Sequence, residues 1–281
     1  MSQQLAVAEP IVDEEATTEV AAIELRTDPD GLAYDPRTRA LYVADSYTGA
    51  ILRVDGTAQQ RIATIASGNI VATRRIGGIA VSPHGTLYVS RLGYGHAGAI
   101  FRVDHSGAVD ALDLPARTWR LGFVYAAREH VLYATEFEKS RTGPRDGVIS
   151  RIDLATGATS VVIDGFAKPA GIAKLGPTLV VSDAKQRTIH RIELVAGRAF
   201  LSMELAAGID RPEAVVACGR DSVLVTTYDE VCRIGSVCQL WLDGRMRTIC
   251  RGPWEPRGLA TTGELVFVAV RHRARVLVFR L

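Results

Sequence analysis

Short apolar runs of strand length, broken by turn-forming residues, recur along the chain. The unit is clearest near the N-terminus. There Gly31-Leu32-Ala33, Leu41-Tyr42-Val43 and Arg53-Val54-Asp55 are separated by Pro36-Arg37-Thr38-Arg39 and Tyr47-Thr48-Gly49. The first run returns at Gly78-Ile79-Ala80, Gly122-Phe123-Val124, Gly171-Ile172-Ala173, Ala214-Val215-Val216 and Gly258-Leu259-Ala260, with a spacing of 43 to 49 residues. The second returns as Leu87-Tyr88-Val89, Leu132-Tyr133-Ala134, Leu179-Val180-Val181, Val223-Leu224-Val225 and Val266-Phe267-Val268. The third returns as Arg102-Val103-Asp104, Arg151-Ile152-Asp153 and Arg191-Ile192-Glu193, and more weakly afterwards. A period of this length is the mark of an array or a propeller.

A fourth strand follows the third in five of the repeats: residues 61–66, 109–114, 160–165, 199–205 and 247–251. The sixth repeat reaches only its third strand before Leu281. A spare strand-like run, Val20-Ala21-Ala22-Ile23-Glu24-Leu25, stands near the N-terminus. The pattern therefore predicts an all-β, six-bladed β-propeller with four-stranded blades. Its ring is closed by the N-terminal strand completing the last blade, which leaves no long unpaired edge. Residues 17–281 form the single domain, and residues 1–16, acidic and polar, read as a loose arm.

Composition narrows the functional classes. The 281 residues are 47% hydrophobic, enough for a continuous core between blades. No apolar run approaches the roughly 18 residues that span a bilayer. The N-terminus lacks the basic-then-apolar pattern of a secretory signal, so a cytoplasmic location is expected. Net charge is +2 with no dense basic tract, which favours neither nucleic acid nor membrane as a partner. A small-molecule substrate is the expected partner, with a protein partner on the rim as the alternative. Cys232 and Cys238 flank a short loop and could face each other across a hairpin. The cytoplasmic reading makes all four cysteines, with Cys218 and Cys250, free thiols.

The topology locates the site. The start of each first strand and the end of each second strand share one face of the ring. The leading residues of the first strands are Asp30, Gly77, Leu121, Ala170, Glu213 and Arg257. The second strands end at Asp45, Arg91, Glu136, Asp183, Thr227 and Val270. Acids and arginines thus converge on one mouth. Crowded carboxylates raise one another's pKa unless a cation or an arginine sits among them. Hard divalent cations use such all-oxygen ligands. The cluster is therefore either a site or a set of ion pairs that fills the channel. Asp45 and Asp183 each have a second reading as side-chain caps of the turns that follow them. Rim loops at 92–98, 138–147 and 228–237 would shape a pocket. They carry His96 and Tyr228, and His272 maps to the same face.

The segment Pro29 to Asp35 followed by Leu41 to Ser46 resembles the gluconolactonase and senescence-marker-protein family of six-bladed propellers. The resemblance recurs at 78–91 and 169–183 and covers nearly the whole chain. It overlaps the NHL-repeat and virginiamycin-B-lyase types. It implies a divalent cation, most often calcium, at the channel mouth, held at the leading first-strand positions. Those positions match as acids at Asp30 and Glu213 and depart from the family at Leu121 and Ala170, with Asp183 a substitute. The resemblance implies a lactonase-like hydrolase acting on a small polar molecule. Asp30, Glu213 and Asp183 would hold the cation. Arg91, Arg257, Asp45, Tyr228 and His272 would bind substrate, and Glu136 or His96 would move protons. The alternatives are a metal-independent lyase or other non-hydrolytic enzyme of the propeller class, and a non-catalytic propeller that binds a ligand or a protein.

Overall fold

The computed structural model describes residues 19–65, 76–92, 98–115, 119–137 and 147–281. The loose arm proposed at 1–16 lies outside them. Their elements are twenty-four strands, β1–β24 in chain order, grouped into six antiparallel four-stranded sheets. The innermost strands are β2 (Pro29–Asp35), β6 (Ile76–Val81), β10 (Trp119–Ala126), β14 (Pro169–Leu175), β18 (Val215–Cys218) and β22 (Pro256–Thr261). Each pairs with the next in sequence: β3 (Ala40–Asp45), β7 (Leu87–Arg91), β11 (Val131–Phe137), β15 (Thr178–Asp183), β19 (Ser222–Asp229) and β23 (Leu265–Val270). The six-bladed propeller expected from the period is the observed fold.

Ring closure is also as expected. β1 (Glu19–Glu24) pairs antiparallel with β24 (Arg275–Arg280), with Ala22 opposite Leu277 and Ile23 opposite Val276. Most of β1 is exposed, and its hold on the ring comes from the ladder, from half-buried Ile23 and from buried Leu25. The core lies between blades, where second and third strands of adjacent sheets interlock. One such cluster joins Leu41, Val43 and Leu52 of the first blade to Phe267, Val276 and Val278 of the sixth.

The blades meet at the channel, backbone against backbone. A Cβ added to Gly31 would stand 1.9 Å from the carbonyl oxygen of Gly77 in the next blade. The same holds at 2.2 to 2.4 Å for Gly78 against Leu121, Gly122 against Ala170, Gly171 against Glu213 and Gly258 against Asp30. Hydroxyls stitch the same seam. Ser90 Oγ accepts from Gly78 N–H and donates to the Leu121 carbonyl of the next blade. Thr135 does this between Gly122 and Ala170, and Ser182 between Gly171 and Glu213. The ladder slips by a bulge beside the leading residue in β2, β6, β10, β14 and β22, which re-aims that residue towards the axis.

All four cysteines are free thiols. Cys232 is exposed, whereas Cys218, Cys238 and Cys250 are buried, so Cys232 and Cys238 do not present as an accessible pair. Burial pushes the Cys250 thiol up to about 12.

Two expected outcomes follow. A chain beginning at Thr27 loses the β1 ladder and the buried Leu25, and unfolds with a stability lower by roughly 2–4 kcal/mol in a denaturant titration. Alkylation of the native protein near neutral pH labels Cys232 first, and mass spectrometry finds the other three labelled only after unfolding.

Candidate functional site

The leading residues of all six inner strands line one cavity of about 1180 Å³ on the channel axis: Asp30, Gly77, Leu121, Ala170, Glu213 and Arg257. Beneath them lies a ring of six apolar side chains, one per blade: Leu32, Ile79, Phe123, Ile172, Val215 and Leu259. They are two residues further along each inner strand, on the same face, so the period-2 alternation of a strand makes a carbon floor under the mouth.

The second-strand ends behave differently. Five of the six pair with the residue just before the leading one: Asp45 with Pro29, Arg91 with Ile76, Glu136 with Arg120, Asp183 with Pro169 and Val270 with Pro256. Of the six, only Asp45 is part of the cavity wall. Alternation sends Arg91 and Glu136 between the blades and points their successors, Leu92 and Phe137, at the cavity. Arg91 lies over the Phe101 ring at 4.8 Å, and burial lowers its pKa. Glu136 is fully buried in an ion pair with Arg120, Nε to Oε1 2.9 Å. The other Arg120 nitrogens donate to the carbonyls of Gly98 and Pro115. Glu136 therefore holds a blade connection together and does not reach the mouth as a proton carrier.

Asp45 and Asp183 are caps. Asp45 accepts from Tyr47 N–H and from the Thr48 hydroxyl, fixing the turn that carries Ser46, Tyr47 and Thr48 into the wall. Asp183 accepts four backbone N–H bonds, from Ala167 (2.6 Å), Lys168 (3.1 Å), Lys185 (3.0 Å) and Gln186 (2.9 Å). Its oxygens are satisfied away from the axis, and it acts on the cavity through the corner that presents Lys168.

Glu213 is held by two arginines, Oε1 to Arg211 Nε at 3.0 Å and Oε2 to Arg257 Nη1 at 2.5 Å. Glu255 bridges Arg211 (2.9 Å), Arg257 (2.9 Å) and Arg271 (3.1 Å). Burial alone would raise the Glu213 pKa, but Arg257, Arg211 and Lys168 more than offset it and hold the carboxyl below its usual range. Tyr228 lies under the Arg211 guanidinium at 5.5 Å and supports this network from outside the wall. His272 is in the wall, exposed, with its backbone N–H on Asp28 at 2.8 Å. His96 lies outside the described residues.

Asp30 stands apart. Its carboxyl accepts no hydrogen bond and joins no ion pair among the described residues. Burial pushes its pKa up to about 6, against the pull of Arg257 and with the help of Glu213. Lys168, which no sequence pattern marked, lines the same cavity at the entry to blade four, within the field of Glu213. Its ammonium has no hydrogen-bond or ion-pair partner among the described residues. Burial lowers its pKa, with Glu213 pulling the other way.

The expected divalent-cation site does not fit this arrangement. Such an ion needs several converging oxygen donors. Among the described residues no three acids, cysteines or histidines converge on a point. Glu213 has an arginine on each oxygen, and Asp183 is saturated by backbone N–H groups.

No protein-family model matches the sequence, and comparison with curated proteins gives no match. Solved structures do match in shape. A gluconolactonase from Xanthomonas campestris is 14% identical with a TM-score of 0.74, over 94% of this chain and 98% of that one. The PQQ-bound aldose sugar dehydrogenase of Streptomyces coelicolor is 16% identical with a TM-score of 0.70, over 94% and 98%. Virginiamycin B lyase from Staphylococcus aureus is 15% identical with a TM-score of 0.63, over 93% and 98%. The shared property is the fold. At these identities three different chemistries sit on one architecture, so the side chains of the cavity must decide between them.

The ion-pair network makes its own prediction. Glu213→Gln leaves Arg257 with Glu255 alone and Arg211 with Glu255 and the more exposed Glu230, and should cost about 1–2 kcal/mol in denaturant unfolding at pH 7. The folded pKa of Glu213 is depressed. The stability it contributes is therefore present above the unfolded value of 4.5 and is lost as pH falls through the folded value, so the cost vanishes in strong acid.

Proposed function

We propose that the protein is a lactonase-like hydrolase whose general base is Asp30, working without a metal donor set at the mouth of the central cavity. The observation that carries the reading is the Asp30 carboxyl itself. It opens on the cavity and accepts no hydrogen bond among the described residues, and burial pushes its pKa up to about 6. A base of that pKa is ionised at neutral pH and basic enough to take a proton from water. The neighbouring acids are spent on arginines or backbone, so among the described residues only Asp30 combines cavity access with a raised pKa. Raised carboxyl pKa values of this kind gather at functional sites.

The chemistry proceeds in two steps. Asp30 takes a proton from a water as that water's oxygen bonds to the carbonyl carbon of the substrate. The carbonyl electrons move onto its oxygen, and the Lys168 ammonium on the wall of the same cavity offsets the developing charge. The carbonyl then re-forms, the ring C–O bond breaks, and the departing alkoxide takes the proton from Asp30. The product is a hydroxy acid, whose carboxyl then releases its proton to solvent. The likeness in shape to a gluconolactonase supports the lactone class by analogy, and the raised pKa of the Asp30 carboxyl on the cavity wall supports it from the residues.

The test is a panel of lactones and esters followed by proton release. Hydrolysis should rise with pH through an inflection near 6 and be unaffected by a chelator. Asp30→Asn should reduce kcat at least about a hundredfold. The same substitution should stabilise the fold. The Asp30 pKa is raised on folding, so its ionisation costs stability as pH climbs from about 4 to above 6. Asn removes that cost, for a gain of about 1–3 kcal/mol at pH 8 and none at pH 3. Loss of turnover in chelator with recovery on adding calcium would contradict the metal-free mechanism. A product formed in ¹⁸O-water without label would indicate elimination and a lyase.

A further inference from the structure

Among the described residues, the charged side chains of the cavity wall come from blades one, four, five and six: Asp30, Glu213 and Arg257 at the leading positions, joined by Arg211, Arg271 and, from blade four, Lys168 and Lys185. The other side, formed by blades two and three and the inner edge of blade four, presents Gly77, Leu92, Leu121, Phe137 and Ala170. With the carbon floor beneath, about half of the described wall offers no hydrogen-bonding side chain. A polyol filling this space would leave hydroxyls against carbon, each losing its bonds to water. The volume, about 1180 Å³, also exceeds the roughly 300–1,000 Å³ of ordinary small-molecule pockets.

We propose that the substrate is amphipathic: a lactone or ester whose carbonyl end lies on the charged part of the wall that holds Asp30 and Lys168, and whose apolar chain or ring lies on Leu92, Leu121 and Phe137. This rests on the hydrolase reading of the same cavity and adds the substrate class to it. The carbonyl end needs the base and the ammonium. The apolar part gains by leaving water for a wall that asks for no hydrogen bonds. A ligand with both parts fixes its own orientation, because reversing it would bury a carboxylate product against carbon.

The test uses simple probes and the full chain. Octanoate imitates the carboxylate product with an apolar tail, acetate has the carboxylate alone, and 1-octanol has the tail alone. In calorimetric titration octanoate should bind at least about a hundredfold more tightly than acetate, since each fully buried methylene is worth roughly fourfold. Octanoate should also bind more tightly than 1-octanol, and Lys168→Gln should remove that advantage. Leu121→Asn should weaken octanoate about tenfold and leave acetate unchanged. Leu121→Ala, which adds no polar group, should weaken it by a smaller factor in the same direction. Leu121 is half-exposed at the mouth, so both variants should melt within a few degrees of the parent. Equal binding of octanoate and acetate, or octanoate binding indifferent to both Leu121 variants, overturns the proposal. Hydrolysis of short polar lactones without octanoate preference keeps the hydrolase and discards the amphipathic substrate. Octanoate preference with no hydrolysis of any long-chain lactone upholds the amphipathic site and sinks the hydrolase reading.

Discussion

The molecule depends on a contact in which no side chain fits. Around the channel, the α-carbon of a glycine in one inner strand rests against a carbonyl of the next, five times in six blades. A single methyl group there would overlap backbone, which cannot swing aside as a side chain can. The hydroxyls of Ser90, Thr135 and Ser182 bridge the same seam, satisfying an N–H in one blade and a carbonyl in the next. Because the ring is tight at this level, the residue just before each glycine is aimed at the axis and the residue just after it forms the floor. The cavity is thus a by-product of how the blades close. Its chemistry is set by six leading side chains and a few that reach over them from loops.

That dependence explains what the sequence revealed and what it hid. The period of 43 to 49 residues, with glycine heading five of six first strands, was enough to give the blades, their order and the closure by β1. It also gave the six leading residues, because their position relative to the glycine is fixed by backbone contact. The second-strand ends were legible only as to face. Whether Glu136 or Phe137 looks into the cavity turns on one step of alternation, and the bulges beside the leading residues shift the local register. Asp45 and Asp183 carried their alternative in plain view, as acids before turns, and the hydrogen bonds decide for the caps. Lys168 was hidden because nothing in Ala167-Lys168-Pro169 marks it. It matters only because Asp183, two strands away in sequence, pins its backbone at the rim.

The electrostatics of the mouth follow one logic. Glu213 and Glu255 are locked among Arg211, Arg257 and Arg271, a network that neutralises most of the charge. Such a network is poor at chemistry, since its members are held in one protonation state. It does create a setting in which one remaining carboxyl, Asp30, is desolvated without being directly paired. The departure from the resembling family lies here. Arginines occupy the oxygens of Glu213 that a cation would need, and Lys168 and Asp30 are left on the cavity wall without ion-pair partners among the described residues. Fold likeness to a lactonase, a dehydrogenase and a lyase leaves such differences open, and the residues settle how this mouth is charged.

The central claim is that Asp30 is a cavity carboxyl of raised pKa. The direct measurement is a carbon-13 NMR titration of the side-chain carboxyl, assigned by comparison with Asp30→Asn. The account predicts a midpoint near 6, well above the ordinary aspartate value of 3.8. A midpoint at or below about 4 would mean that Asp30 is solvated or paired like its neighbours, and would contradict its role as the base.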